Sequence, residues 1–399
     1  MSALLPFAAA LDRLLAGVAP LAAETVPIDQ CAGRVVAEPV VARLTQPPFP
    51  ASAMDGYAIR WADLRQPWRV VGESAAGRGW AGHVAPGEAV RIFTGAPLPD
   101  GADTVVVQEE VARDGPLARL TGQGPRALGA HIRAMGQDFA SGDMLITAGT
   151  RLTPPHLGLA AAAGHGKLTV IRRPRVTLIA TGDELVPPGA EPGPGQIVSS
   201  NPAMLAAVLR WAGADVDDPG LIKDDRAALA NALLASDGDL ILTIGGASVG
   251  DHDLVVPVLR DLGAELDFWK IALRPGKPLL AGRLGERKLI GLPGNPVSAF
   301  VTALLFAVPL VARLAGRNHD LPMERLPLAM PLPANGMRRD HLRARRSAGG
   351  AEPLARQDSA LLSVLATANL LIIREAGAPA AAAGELVDCI ALDMFPSVF

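Results

Sequence analysis

The sequence predicts a multidomain α/β protein: a central doubly wound sheet of mixed or parallel strands, a β-rich insert, a helical and linker domain, and a C-terminal β domain. Three observations carry this. Residues 175–316 alternate apolar β runs (176–180, 240–244 and 289–292) with helical patterns, the mark of strands joined by crossover helices. Residues 46–133 break instead into short β-rich runs such as 68–71, 90–93 and 104–107, punctuated by Gly and Pro. After Pro322 extended runs return, ending with 370–374 and 386–391.

The elements follow in order. Leu4, Leu5, Phe7, Leu11, Leu14 and Leu15 fall on one stripe of a helix, followed by short extended pieces at 26–28 and 35–41. A Pro-Pro start and the Leu and Ala after it imply another helix near 152–163, expected to pair with the first. Residues 1–45 and 134–173 therefore form a discontinuous helical and linker domain, 46–133 the β-rich insert, 174–318 the α/β domain and 319–399 the C-terminal β domain. Within the α/β domain Asn201 can N-cap a helix with Pro202 in its first turn, Met204, Leu205, Val208 and Leu209 on its buried face, and Gly213 at its end. A second helix is expected after Asp225 and a third over 253–262. The Ala-rich patch 380–383 is expected to be a loop.

Composition excludes several function classes. The 399 residues are 49% hydrophobic and 19% charged with a formal net charge of −3, so no basic field exists to make nucleic acid the main partner. Any anionic ligand must be held by local charge. Two cysteines, Cys31 and Cys389, with no C-x-x-C pair argue against a disulfide framework, an iron–sulfur cluster or a thiolate zinc site, and a reducing cytoplasm is the expected compartment. The apolar start at 1–23 lacks a basic region and carries Asp12 and Arg13, unlike an export signal. The uncharged run 289–312 contains Pro293, Gly294, Asn295 and Pro296, which divide it into strand, turn and helix rather than a membrane span.

In a parallel α/β sheet, ligands bind beyond the carboxyl ends of the strands. Three turns there are polar and glycine-rich: Thr181-Gly182-Asp183-Glu184, then Gly245-Gly246-Ala247-Ser248-Val249-Gly250-Asp251-His252-Asp253, then Pro293-Gly294-Asn295-Pro296. Gly245, Gly246 and Gly250 would let backbone N–H groups approach a phosphate or oxyanion, although such a turn can also be only tight. Carboxylates beside an anion are unfavourable without a cation between them, so Asp183, Glu184, Asp251 and Asp253 point to oxygen-ligated Mg²⁺; helix capping by Asp253 is the competing explanation. Lys270, Arg274 and Lys277 surround a Pro-Gly turn and favour anion binding over a solvated face. In the insert, Asp55 follows a proline-rich stretch, either as a presented carboxylate or as an Asp-Gly turn opening a strand.

These residues resemble a known family. SAMDGYA at 52–58, FTGAPLPDGAD at 93–103, TGDEL at 181–185, GGASVGDHD at 245–253, RPGKP at 274–278 and LPGNPVSAF at 292–300 are similar to the molybdopterin molybdenumtransferases of the MoeA type, related to the gephyrin C-terminal domain. The resemblance spans essentially the whole chain. It implies a molybdopterin-binding α/β domain in a four-domain homodimer, each active site shared between the α/β domain of one subunit and the β insert of the other. The reaction implied is insertion of molybdate into adenylated molybdopterin with release of AMP, in molybdenum cofactor biosynthesis, with Mg²⁺ as cofactor. By the same resemblance Asp55, Thr94, Glu184, Asp253, Lys270 and Arg274 are catalytic. Gly245, Gly246, Ser248, Gly250, Pro293, Gly294, Asn295 and Pro296 bind the pterin substrate. Lys277, Pro278, Ser298, Arg343 and Ser363 contact molybdate, and Glu184, Asp251 and Asp253 hold the metal. Partners implied are the upstream adenylyltransferase and downstream cofactor-accepting proteins, with neither nucleic acid nor membrane. Arg274 stands where the family usually has Lys, and Ala247 where it has Val. The sheet domain alone also resembles the adenylyltransferase of the preceding step, which ATP consumption would reveal; a non-catalytic scaffold would not need both Glu184 and Asp253.

Overall fold

The structure, a computed structural model, describes residues 4–245 and 254–393. The chain divides into two compact units, one comprising Met1–Glu24, Gly33–Ala37 and Thr169–Phe399, the other Thr25–Ala32 and Glu38–Leu168.

The larger unit is built on a seven-stranded sheet. Its path runs Asp215–Asp217, Arg175–Thr181, Leu240–Ile244, Arg287–Leu292, Pro278–Leu284, Glu265–Lys270, with Leu221–Ile222 also pairing on Arg175–Thr181. The strands up to Arg287–Leu292 pair in parallel and the last two antiparallel, so the sheet is mixed. The alternation of a strand places successive side chains on opposite faces, and two cores result. Val176, Leu178, Leu240, Leu242, Ile290 and Leu292 join one core; Ile179, Ile241 and Leu289 join the other with Leu229 and Leu233. That two-sided burial is why these strands are continuously apolar. The helix after Asp225 forms as expected, over Arg226–Ala235, with the Asp225 carboxylate accepting from Ala228 N–H at 2.8 Å.

One expectation needs correction. Asn201 does not cap its helix: Ser200 precedes it, Asn201 is the first helical residue, and its Nδ2 donates to Gly294 O at 2.7 Å. A carbonyl brought near by the fold outcompetes a local cap. The helix Phe7–Leu15 packs on Val308–Leu314, with Ala10 and Leu14 in the first core, and Pro154–Ala162 packs within the smaller unit. The third α/β helix covers Val255–Asp261, and its expected beginning at Asp253 lies outside the described residues.

The apolar run 296–314 forms a helical stretch 89% buried inside the protein, its middle turn widened to a π-helix at Ala303–Ala307. It is a core helix. The C-terminal sheet runs Leu273–Arg274, Arg339–Ser347, Leu370–Arg374, Leu386–Ala391, Met323–Pro327, with Gly350–Pro353 on Arg339–Ser347. Its Leu371, Ile373 and Ile390 enter the first core, while Leu370, Ile372 and Cys389 build a separate one.

The smaller unit holds a six-stranded sheet of Thr104–Val107, Gly56–Ile59, Glu88–Ile92, Trp68–Ser74, Leu117–Leu120 and Val111–Asp114. Only Trp68–Ser74 and Glu88–Ile92 pair in parallel there. Trp68 is fully buried at its centre, its indole N–H donating to Asp63 O at 2.8 Å.

Candidate active site

The parallel strands Arg175–Thr181, Leu240–Ile244 and Arg287–Leu292 run in register, Ala180 beside Ile244 beside Leu292. Beyond their carboxyl ends lies a cavity of about 690 Å³. Its lining includes Thr181, Glu184, Asn201, Gly245, Pro278, the Pro293-Gly294-Asn295-Pro296 turn, and Ala360 and Leu362 of the C-terminal domain. Six of the sequence-predicted residues are thus gathered from three segments with Glu184. Gly245 N–H donates to Leu292 O at 3.0 Å, so its backbone continues the strand pairing. Gly246, Ser248, Gly250, Asp251 and Asp253 lie outside the described residues.

The two acidic residues after Arg175–Thr181 differ in availability. Asp183 and Asp224 each accept the other's backbone N–H, at 3.3 and 3.2 Å, so Asp183 is engaged in a turn. The exposed Glu184 carboxylate makes no hydrogen bond or ion pair among the described residues. Among those residues no group of three or more His, Cys, Asp or Glu side chains is arranged to hold a metal.

Lys270 ends the Glu265–Lys270 strand, and Lys277 immediately precedes the return strand Pro278–Leu284. The loop between is closed by Ile271 N–H donating to Lys277 O at 2.8 Å. Its tightness has a visible cause. Gly276 has φ +101°, and a Cβ there would stand 2.4 Å from Thr302 Cγ2 and 3.7 Å from Ser298 O, so the loop rests directly on the helix Pro296–Thr302 that carries Ser298. Lys270 and Lys277 are exposed and carry no ion pair among the described residues. Arg274 is different. It pairs with the carboxylate of Asp340, which is only 3% exposed, through the parallel pairing of Leu273–Arg274 with Arg339–Ser347. Its charge is therefore spent on a buried carboxylate, a role that nothing near it in the sequence signals.

Arg343 lies on the same strand as Asp340 and is 2% exposed. Its Nη1 donates to His341 O at 3.2 Å, while Nε and Nη2 are buried with no partner among the described residues. Burial weakens this cation, and Asp340 opposes the effect. An incompletely paired buried guanidinium is costly unless a ligand completes it. Arg343 N–H donates to Gln357 Oε1 at 2.9 Å, and Asn295 Nδ2 donates to Ser359 Oγ at 3.2 Å, so the 357–362 segment joins this strand to the Pro-Gly-Asn-Pro turn. Ser363 follows on the short helix Leu362–Thr367, which packs on both the Arg343 strand and the Ser298 helix. Ser298 is buried and Ser363 exposed.

In the smaller unit the Asp55 carboxylate accepts from both the N–H and the hydroxyl of Thr94, each at 2.8 Å. The two hydrogen bonds from Thr94, helped by Arg91, hold the carboxyl below its ordinary range. Gly56 after it cannot carry a side chain, since a Cβ would meet Val106 O at 2.0 Å. The Asp-Gly step therefore both opens the strand Gly56–Ile59 and presents the carboxylate. Arg91 also reaches Gly56 O at 2.8 Å and lies against the Tyr57 and Phe93 rings, 5.2 and 4.8 Å from their centroids.

Comparison with known proteins agrees with this architecture. Residues 5–164 match the family model described as the MoeA N-terminal region (domain I and II), 177–313 a probable molybdopterin binding domain, and 325–392 the MoeA C-terminal region (domain IV). A molybdopterin molybdenumtransferase from Haemophilus influenzae is 38% identical over 306 residues, 75% of each chain. The chain belongs to the MoeA family. A second relative, molybdopterin molybdenumtransferase 2 of Mycobacterium tuberculosis, is 41% identical over 71% of this chain and 73% of its own. The MoeA fold itself is similar to the crystal structure of the molybdopterin biosynthesis MoeA protein from Pyrococcus horikoshii, with a TM-score of 0.81 and 30% identity over 98% of this chain and 99% of that one.

Against this MoeA frame, sequence reasoning missed Thr302 beneath Gly276, Asp340 beneath Arg274, and Asn201 in the cavity wall. Only the glycine of RPGKP, a residue chosen where space is short, signalled any of them.

Proposed function

We propose that this chain is a molybdopterin molybdenumtransferase, inserting molybdate into adenylated molybdopterin with release of AMP. The observation that carries it is the cavity at the sheet's carboxyl edge, where Glu184, Gly245, the Pro293–Pro296 turn and Pro278 meet residues of the C-terminal domain. The named relatives support the same activity.

In this reading the pterin and nucleotide lie along the cavity, against Gly245 and the Pro-Gly-Asn-Pro backbone. Molybdate, a tetrahedral dianion, is taken by Lys277, Ser298, Arg343 and Ser363, with Arg343 offering Nε and Nη2, which lack partners among the described residues. Lys270 compensates charge at the mouth, and Arg274 acts through Asp340. Glu184, in the cavity wall and unengaged among the described residues, suits an oxygen-seeking cation. With Asp251 and Asp253 it would hold Mg²⁺, which supplies neutralisation of charge on the phosphate linkage. The expected protein work is positioning and electrostatic stabilisation. We extend the reading to a homodimer in which Asp55 and Thr94 of one copy complete the site of the other, and to a cytoplasmic location, which suits the buried thiols of Cys31 and Cys389.

The test is AMP release from adenylated molybdopterin with and without molybdate and Mg²⁺, with sedimentation of the active species. Molybdate-dependent AMP release without ATP consumption is expected. ATP consumption, or release indifferent to molybdate, would overturn the assignment.

A further inference from the structure

The segment around residues 5–7 is built into the scaffold of the oxyanion site. Leu5 forms a parallel bridge to Ile271: its N–H donates to Lys270 O and its carbonyl accepts from Ala272 N–H, both at 2.9 Å. Ala272 O in turn accepts from Arg339 N–H at 2.8 Å. The loop that carries Lys270, Arg274 and Lys277 is thereby held between residue 5 and the strand of Arg343.

Two residues on, the Phe7 ring meets Phe306 edge-on at 5.5 Å between centroids, and His341 at 6.4 Å, with the Arg339 guanidinium 4.5 Å from its centroid. Phe306 lies on the helical run that begins with the Ser298 helix; Arg339 and His341 lie on the strand of Arg343. One aromatic ring thus touches two of the elements that carry oxyanion residues, and the backbone just before it holds the third. Two backbone hydrogen bonds tie Leu5 to the loop, and both Leu5 and Phe7 pack on the core that includes Ile271 and Leu273, so the seat of the ring braces that tie.

We propose that Phe7 is a positioning residue of the molybdate site, fixing the Lys270–Lys277 loop against the Ser298 helix and the Arg343 strand. The proposal rests on the activity proposed above. Because misplacement of a binding group by a fraction of an ångström is enough to weaken a small rigid anion, the defect should fall on molybdate and spare the larger pterin.

The experiment measures AMP release by the full chain with molybdate and adenylated molybdopterin varied in turn, for wild type, Phe7→Ala, Phe7→Leu and Leu229→Ala. Leu229 lies in the core on the other sheet face and serves as a destabilised control. Thermal melts accompany each, and assays run well below every melt. Phe7→Ala should raise KM for molybdate about tenfold and leave KM for the pterin within about twofold, with Phe7→Leu between it and wild type. Leu229→Ala should lower the melting temperature with both KM values unchanged. Should Phe7→Ala not fold, Phe7→Leu carries the same comparison. Unchanged molybdate KM in the folded Phe7 variants, or an equal rise in Leu229→Ala, overturns the positioning role. A wild-type chain that releases no AMP in response to molybdate overturns instead the activity itself.

Discussion

Thr94 gives both its backbone N–H and its hydroxyl to one carboxylate oxygen of Asp55, each at 2.8 Å. The arrangement stabilises the ionised carboxylate more than the protonated form, so the Asp55 carboxyl titrates below its ordinary range. Thr94→Ala deletes the hydroxyl bond and leaves the amide; Thr94→Ser keeps both. A carboxyl whose folded value lies below its unfolded one stabilises the fold above the unfolded value and gives that contribution up as pH falls through the folded value. Thr94→Ala should therefore move Asp55 titration and the acid limb of the rate profile to higher pH, with Thr94→Ser restoring both. A carboxyl NMR titration and a pH–rate profile check this, and an unmoved acid limb would mean that Asp55 ionisation is not required.

Arg274 stands on Asp340, and burial pushes the Asp340 carboxyl up while Arg274 pulls it back. Arg274→Lys keeps a cation at that place and should be mild, although a compact ammonium replaces a planar fork. Arg274→Ala strands a buried carboxylate and should cost about 1–3 kcal/mol at neutral pH. The sign of the pH dependence follows from the raised pKa: with Arg274 gone the folded value rises further above the unfolded one, so the variant is least impaired in acid and loses stability as pH climbs through the folded value. Thermal melts from acid to neutral pH measure this. Lys277→Ala, by contrast, should lower turnover with little change in melting, because Lys277 is exposed and without an ion pair among the described residues.

Much of the fold was legible because local pattern and tertiary role coincide. The runs 240–244, 370–374 and 386–391 are strands with those bounds; the first two are buried on both faces, and the third alternates at its start, with Leu386 and Asp388 exposed and Val387 and Cys389 buried. The cap at Asp225 was legible for the same reason, its partner being three residues away. Asn201 was misread because its partner, Gly294, is 93 residues distant, and Arg274 was given a ligand role because Asp340 is 66 residues distant. The antiparallel strands Glu265–Lys270 and Pro278–Leu284 were invisible beneath the basic motif between them. Of the candidate site, the turns that line the cavity were legible from their position after strands. The pairing that brings Arg343 toward them runs through a separate sheet and was not.

Gly276 offers a steric test of the loop. An alanine there meets Thr302 Cγ2 at 2.4 Å and must also adopt φ +101°, a conformation that disfavours a Cβ. Gly276→Ala should cost about 1–3 kcal/mol of stability and displace Lys277. Adding Thr302→Ser removes the methyl that clashes and keeps the hydroxyl that bonds Ser298 O at 2.6 Å. The double variant should recover part of the loss, leaving the backbone strain. A double-mutant cycle in denaturant measures the coupling, and strict additivity would show that the loop evades the contact.

Arg343 should expose a conflict between stability and function. Its buried Nε and Nη2 have no partner among the described residues, a penalty the empty protein bears and a bound oxyanion relieves. Arg343→Met retains an unbranched side chain of similar reach without the cation. Asp340 keeps Arg274, so no carboxylate is stranded by the change. The variant should melt at or above the wild-type temperature and yet lose molybdate-dependent AMP release, a pattern expected where a site stores unfavourable charge for its ligand. A ligand that binds only the folded state raises its stability by about 2.7 kcal/mol at a hundredfold excess over Kd. Molybdate should accordingly raise the melting temperature of the wild type and leave that of Arg343→Met unmoved, whereas sodium chloride at matched ionic strength should move neither. A molybdate shift that survives in Arg343→Met would take Arg343 out of the oxyanion site and leave Lys277 and Ser298 to hold it.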